Sequence, residues 1–415
     1  MKILHLNYYD IEGGAAIAMH RLHSLLKKNN SIDSNILVFS KQQKDANDII
    51  LFPNKFNKIA NNIKRKFCFN LTKFQKIYSK STHSLNIFDS GIIKKINKIK
   101  PDIVHLHWVN NEFISIKEIK KITQPIVWTF YDMWPFCGAE HWTFEKRFVN
   151  GYLTDNKPIE NKGIDLNKFI WGLKKKNWEN KRFEIVCLSK WLSKQTLNSK
   201  LFKDYSINTI APPLDFSKWK DIDKNDARKK LNLDESKIYL LFGAAGGTKD
   251  RRKGFDLIIN SLNEKLSKNK KIHLLLFGIT FQKDLENLKL PITNFGPIPY
   301  DDYEKLSLIY SASNLTLFPS KLEAFGQVGS ESLACKTPVV TFKNSGPEDM
   351  IEHKKNGYLA NYLDKDDFLN GINWYLNLSE TEITKVNNYS RECILKRFSE
   401  EEILNKYLKI YNKLI

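Results

Sequence analysis

The stretch Glu323-Ala-Phe-Gly-Gln-Val-Gly-Ser-Glu331 sets two carboxylates eight positions apart around Gly326, a residue able to open a helix. The residues before it, Leu315-Thr-Leu-Phe-Pro-Ser, read as the end of a strand; Gln327 to Cys335 read as a helix, and Thr337-Pro-Val-Val-Thr-Phe starts another strand. In open α/β sheets ligands bind beyond the carboxyl ends of strands, which is where this loop falls. Unpaired N–H groups at a helix start, backed by the helix dipole, accept a phosphate, and glycine permits close backbone approach. Glu331, about one turn into the helix, can accept hydrogen bonds from both hydroxyls of a ribose, and Glu323 can hold hydroxyls of a second sugar. Two solvated glutamates would show the same spacing.

A second loop bears on that choice. Phe242-Gly-Ala-Ala-Gly-Gly-Thr-Lys-Asp-Arg-Arg-Lys-Gly-Phe reads as a strand, a glycine-rich loop with basic residues and a helix start, an arrangement that supplies an anion-binding turn plus Lys and Arg for a diphosphate leaving group. Near the N-terminus, Glu12-Gly13-Gly14-Ala-Ala also follows a strand and opens a helix, so a second backbone cradle is expected to face the first across a cleft. Anion sites ringed by carboxylates suit a nucleotide sugar. The stretch Trp128-Thr-Phe-Tyr-Asp-Met-Trp-Pro-Phe-Cys-Gly-Ala-Glu-His offers an aromatic lining for the apolar faces of sugar rings, although some of these rings can equally pack a strand end. His105 and His107, alternating on a strand, point to one face.

The elements that hold these loops alternate short apolar runs with helical patterns, the mark of parallel βαβ units. Strands are expected at Lys2–Leu6, Asn35–Phe39, Ile103–His107, Ile126–Thr129, Glu184–Leu188 and Ser206–Ile210, and after Ala211-Pro-Pro-Leu-Asp at Ile238–Phe242, Ile272–Phe277, Leu315–Phe318, Val339–Phe342 and Gly357–Ala360. The Pro pair cannot continue a helix or a central strand, which puts the domain boundary near 211–216. From Ser399 a cap serine, an acidic first turn and helical apolar spacing predict a terminal helix.

Charge is uneven along the 415 residues. The first 210 carry 35 Lys+Arg against 18 Asp+Glu and the remainder 31 against 28, for a net +20. The basic half suits an anionic surface, while no nucleic-acid recognition motif accompanies it. From Ile49 to Phe88 there are eight basic residues and no acidic one, and Phe56, Ile59, Ile63, Phe67, Leu71, Phe74 and Tyr78 recur at intervals of three or four. Such a helix either lies in a membrane interface or packs its stripe on the sheet with its lysines in solvent. Five scattered cysteines argue against a disulfide framework or a zinc site and fit a reducing cytosol, and no run reaches the ~18 apolar residues a spanning helix needs.

Taken together, Glu323 and Glu331 with seven residues between, the Phe-Pro-Ser lead-in, Ala334-Cys-Lys-Thr-Pro-Val-Val340, the Gly-Gly-Ala entry, Arg252-Lys253-Gly254, Asn294-Phe-Gly-Pro and Gly357-Tyr-Leu-Ala resemble the retaining glycosyltransferases of family 4 (glycosyl transferases group 1) over nearly the whole chain. The resemblance implies an α/β, GT-B fold of two Rossmann-like, doubly wound parallel-sheet domains facing a cleft. It implies an acceptor domain over 1–211, a donor domain over 212–394, and a terminal helix over 395–415 crossing back to the first domain. Carried over position by position, Lys253 with Arg252 would neutralise the diphosphate, and Gly13 and Gly14 would approach the donor. Backbone N–H groups around Phe325, Gly326, Gln327 and Val328 would contact sugar and phosphate, Glu331 the ribose and Glu323 the donor sugar. Tyr131, Asp132, Trp134 and His141 would meet the acceptor.

The chain departs from the pattern twice. The family commonly has an arginine six positions before the lysine, where Gly247 stands, and Tyr131 stands where a histidine is expected. A tyrosine with a reference pKa of ~10 is a poor base but a serviceable donor to a sugar hydroxyl. The resemblance implies glycosyl transfer with retention from a nucleoside-diphosphate sugar to a carbohydrate hydroxyl, with Lys253, Glu323, Tyr131 and Asp132 in the reacting centre. The acceptor is expected to be a lipid-linked glycan for a bacterial surface polysaccharide. No cofactor or metal is expected, since no Asp-x-Asp motif falls in a cleft loop, and a cytoplasmic location at an anionic membrane surface is expected. The alternative is a non-catalytic nucleotide-sugar- or carbohydrate-binding protein on the same fold.

Overall fold

Short runs of β-branched and aromatic residues pair in register as two open parallel sheets. The computed structural model describes residues 1–415 apart from Lys44, Asn54, 77–80, Ala245 and Tyr300. Contacts divide the chain into two units, Met1–Pro212 with Ile403–Ile415, and Pro213–Glu402.

In the first unit seven strands lie in the order Ile49–Leu51, Asp33–Ser40, Lys2–Tyr9, Ile103–Leu106, Ile126–Phe130, Glu184–Cys187, Ile207–Thr209, with every neighbouring pair parallel. Their side chains are buried on both faces, as continuous runs such as Ile-Val-Trp-Thr-Phe require of a parallel sheet with covered faces. The strand order reverses between Lys2–Tyr9 and Ile103–Leu106, so the ends of those two strands open the crevice of this unit. The helix Glu400–Leu414 starts with Ser399 Oγ accepting from Glu402 N at 3.3 Å, and its Ile403–Ile415 portion belongs to this unit. There Tyr411 Oη lies 2.8 Å from His105 Nδ1, and Lys413 pairs with Glu184 at 2.9 Å.

The second unit repeats the plan with six strands in the order Ile292–Asn294, Ile272–Phe277, Ile238–Gly243, Leu315–Phe318, Val339–Phe342, Gly357–Ala360, all parallel. The reversal falls between Ile238–Gly243 and Leu315–Phe318, the strands that lead into the glycine-rich loop and the loop of Glu323. Topology alone therefore places both loops at the switch point. Leu240, Leu274, Leu276, Leu315, Leu317, Phe342 and Ile372 pack the core beneath them.

The basic helix runs from Lys55 to Thr72. Of the two arrangements open for its apolar stripe, packing on the sheet is not the one seen: Ile59, Ile63 and Phe67 are 61%, 64% and 50% exposed, and Phe69 and Phe74 are exposed as well. The inward face is carried instead by buried Asn61, whose Nδ2 donates to Glu112 O at 2.7 Å, by Arg65 and by buried Cys68. Hydrogen bonds to the 111–112 loop fix the rotation of the helix and leave the apolar residues outward. Tyr78 and Lys80 lie outside the described residues. No described helix is long and apolar enough to cross a membrane.

Candidate active site

In the second unit the two loops are tied together by backbone. Gly254 has φ +73°, and a Cβ there would lie 1.9 Å from Pro319 O, so only glycine lets the 251–254 turn approach the end of the Leu315–Phe318 strand. Lys321 N donates to Arg252 O at 2.7 Å, which fastens the turn to the other loop. The result is an ion pair between Lys253 Nζ and Glu323 Oε2, both side chains mostly buried. Two residues expected to serve separate parts of a ligand are thus held as one charge-balanced unit. Arg252 is turned back onto Asp250, its Nε and Nη2 reaching the carboxylate at 3.1 and 2.5 Å.

The helix Gln327–Ala334 begins at Gly326 in the left-handed region, φ +92°, where a Cβ would lie 2.4 Å from the Phe318 ring. No side chain caps this start, and the positive end of the helix dipole lies there. Phe325 is buried with its ring 5.5 Å from that of Phe398, which leaves its backbone as the part able to touch a ligand. Gly346 N donates to Glu323 O at 2.9 Å and holds the loop above the helix start. Glu331 sits in the same helix, largely buried, with Oε2 accepting from Tyr310 Oη at 3.1 Å. An uncapped helix start with a carboxylate one turn deeper and a lysine paired to the preceding loop is chemically able to take a diphosphate and a polyol together.

In the first unit Gly13, φ +85°, caps the helix Gly14–Lys27 without a side-chain bond, and both glycines are exposed. Asp132 accepts from Trp108 Nε1 at 2.9 Å and His141 Nδ1 at 2.6 Å through Oδ2, and from Trp134 N at 3.0 Å through Oδ1. On the other side of the ring His141 Nε2 lies 2.9 Å from Ser84 Oγ. A hydroxyl, an imidazole and a carboxylate stand in line. Tyr131 Oη lies 3.0 Å from His107 Nδ1, and burial pushes its pKa well up, so it acts as a phenol and not as a base.

Trp134 is a correction. It is fully buried, its Nε1 donates to Ser84 O at 2.8 Å, and Lys174 Nζ lies 3.7 Å above its ring, so it is core and not an acceptor platform. The turn that ties Trp134 N to Asp132 Oδ1 directs the ring inward. Ser84 and Trp108, both bonded into the Asp132–His141 pair, carry no local signal in the sequence. His105 is fully buried against Thr129 and Tyr411. Among the described residues His5, His105 and His107 bring ligand-type nitrogens within 4.8 Å of one another. A 2.9 Å bond between His5 Nδ1 and His107 Nε2, with the Tyr131, Thr129 and Tyr411 hydroxyls, occupies every ring nitrogen except His5 Nε2.

Gly247 has φ +54°, and a Cβ there would lie 1.5 Å from Ile279 O. An arginine at this position is excluded by the backbone itself. Ala245, in the same loop, lies outside the described residues.

Two parallel-sheet α/β units of this kind make the GT-B glycosyltransferase fold. Sucrose-phosphate synthase from Thermosynechococcus elongatus matches with a TM-score of 0.69 and 17% identity, over 100% of this chain and 98% of that one. Anabaena Alr3699/HepE in complex with UDP and glucose matches with a TM-score of 0.68 and 14% identity over the whole of both chains. Residues 223–392, within the second unit, match the family model described as glycosyl transferases group 1. An uncharacterized 41.2 kDa protein in the cps region of Klebsiella pneumoniae is 21% identical over 430 residues, 99% of each chain.

Proposed function

We propose that the chain is a retaining glycosyltransferase of family 4 that moves a sugar from a nucleoside-diphosphate sugar to a carbohydrate hydroxyl, with a lipid-linked oligosaccharide of a surface polysaccharide as acceptor. The observation that carries the reading is the Lys253–Glu323 pair held beside the Gly326 helix start, with Glu331 one turn further in. The cps-region relative supports the polysaccharide context.

In this reading Glu331 accepts from the ribose hydroxyls and the first-turn amides receive the diphosphate. Lys253, already balanced by Glu323, stabilises the charge that develops on the departing phosphate, the electrostatic contribution that dominates such chemistry. The bond from the anomeric carbon to the phosphate oxygen breaks on the face where the bond to the acceptor oxygen forms. The acceptor's proton passes to the departing phosphate. Asp132 and His141 orient the acceptor hydroxyl, and Tyr131, a phenol held by His107, donates a hydrogen bond to it. No metal is assigned a part, and the protein works on the inner face of the cytoplasmic membrane.

The test is incubation with a panel of nucleotide sugars, first for thermal stabilisation and then for slow donor hydrolysis without acceptor. Stabilisation together with hydrolysis, and a product of unchanged anomeric configuration by NMR, supports the reading. Donor binding without turnover on any acceptor favours a non-catalytic nucleotide-sugar-binding protein, for which the absent arginine at 247 and histidine at 131 would be the marks.

A further inference from the structure

A cavity of about 450 Å³ lies within the first unit, under one side of the Lys55–Thr72 helix and remote in sequence from the donor loops. Its wall carries Asn62, Arg65, Lys66 and Phe69 from the helix, and His83 and Ser84 from the segment opposite. Ser84 is also the residue bonded to His141, so the cavity adjoins the Asp132–His141 pair.

The polar groups in the wall are incompletely used. Arg65 donates one N–H to Tyr8 Oη at 2.9 Å, and Lys66 makes no hydrogen bond or ion pair among the described residues. Among the described residues the wall has one carboxylate, Glu112, whose oxygens accept from Asn86 N at 2.6 Å and Ile87 N at 3.0 Å. His83 donates Nδ1–H to Ser81 O at 2.7 Å, which leaves Nε2 an acceptor, buried and with no partner. Arg65 and the exposed Lys66 outnumber that single carboxylate, so the wall can accommodate an anion, and a buried acceptor calls for a hydroxyl beside it. Beyond the wall, on the outward face of the same helix, stand Ile59, Ile63 and Phe67, and no acidic residue occurs between Ile49 and Phe88. An apolar stripe flanked by cations matches the interface of a bilayer.

We propose that this cavity binds the phosphate of a lipid-borne sugar phosphate, with Arg65 and Lys66 on the phosphate, His83 Nε2 on a sugar hydroxyl and the Ile59–Ile63–Phe67 stripe seated in the bilayer. The proposal rests on the acceptor reading above and specifies its substrate class: the acceptor enters from the membrane with its phosphate held at this helix, and its hydroxyl is delivered toward Ser84, His141 and Asp132.

The test is flotation of the full chain with phosphatidylcholine vesicles carrying a few mole per cent of a polyprenyl phosphate, against vesicles carrying the uncharged polyprenol. The expected result is at least roughly tenfold tighter binding to the phosphate-bearing vesicles. The double variant R65Q/K66Q is expected to lose that preference, whereas I63S/F67S is expected to weaken binding to both vesicle types, since it removes exposed apolar contacts and no core. Equal binding of the wild-type chain to both vesicles, or a preference unchanged in R65Q/K66Q, overturns the proposal. Displacement by millimolar inorganic phosphate with no lipid requirement also overturns it, in favour of a free-phosphate site. Donor-induced thermal stabilisation, measured in parallel on the same samples, belongs to the second unit and is expected to survive in both variants. Its absence from the wild-type chain would count against the proposed function, whatever the vesicles show.

Discussion

Replacing Glu331 separates a ligand contact from a structural one. Its carboxylate is mostly buried in the helix Gln327–Ala334 and accepts from the buried Tyr310 hydroxyl at 3.1 Å. Hydrogen bonds to a charged group are worth about 1.5–3 kcal/mol each. Losing the two ribose contacts is therefore expected to cost about 3–6 kcal/mol, roughly 10²- to 10⁴-fold in nucleotide affinity. Glu331→Ala also takes from Tyr310 the acceptor it has here, worth about 1 kcal/mol of folding stability, so alanine alone confounds two effects. Glu331→Gln keeps an acceptor oxygen for Tyr310 while removing the charge. The assay is calorimetric titration with the nucleoside diphosphate and its 2′-deoxy analogue, beside a thermal melt of each protein. The wild-type chain is expected to prefer the ribonucleotide, and Glu331→Gln to lose both affinity and most of that preference with little change in melting temperature. A variant that melts normally and binds both nucleotides as the wild type does would refute the assignment of Glu331 to the ribose.

Other expectations follow from the same geometry. Lys253→Ala is expected to lower kcat by 10²-fold or more, since it removes charge stabilisation realised as the phosphate departs and strips Glu323 of its partner; a change confined to KM would contradict that role. Gly247→Arg, which would restore the family's usual residue, is expected to destabilise the second unit by more than about 1 kcal/mol in a denaturant titration, because its left-handed backbone abuts Ile279 O. Glu140 is buried, its Oε2 has no partner among the described residues, and burial pushes its pKa up to about 7. A carboxyl whose folded pKa is raised contributes stability below its unfolded pKa near 4.5 that is lost as pH rises through about 7. Glu140→Gln is therefore expected to melt above the wild type at pH 8, by up to about 3 kcal/mol, with the advantage gone at pH 4; an advantage independent of pH would show that ionisation is not its cause. Raising ionic strength from 0.05 to about 0.5 M is expected to release the chain from anionic vesicles, and indifference to salt would exclude a charge-led contact.

Most of the strand pattern was legible in the sequence because central parallel strands are apolar on both faces. The runs at Ile272–Phe277, Leu315–Phe318, Val339–Phe342 and Gly357–Ala360 stand in the structure where composition puts them. The strands that escaped are the three-residue edge strands Ile49–Leu51 and Ile292–Asn294 and the two-residue antiparallel pair Gln75–Lys76 and Lys162–Gly163, all with too few residues to show a period. Periodicity in the basic helix revealed a stripe but not its direction, since the buried face is chosen by polar anchors, Asn61 to Glu112 O and Arg65 to Tyr8, whose partners lie far along the chain. The two loops of the second unit stood out in the sequence because glycines, lysine and glutamate fall there between strand ends and helix starts. The pairing of Lys253 with Glu323, the line from Ser84 through His141 to Asp132, and the inward turn of Trp134 were not legible, because each joins segments that only the fold brings together.

The central claim is that the helix start at Gly326 receives the diphosphate while Glu331 and Glu323 hold sugar hydroxyls. A crystal structure with a non-hydrolysable nucleotide sugar measures this most directly. The account predicts phosphate oxygens within hydrogen-bond reach of the Gln327 and Val328 amides and of Lys253 Nζ, and ribose hydroxyls on the Glu331 carboxylate. A nucleotide bound elsewhere, with the Lys253–Glu323 pair and the Gly326 turn untouched, would contradict it.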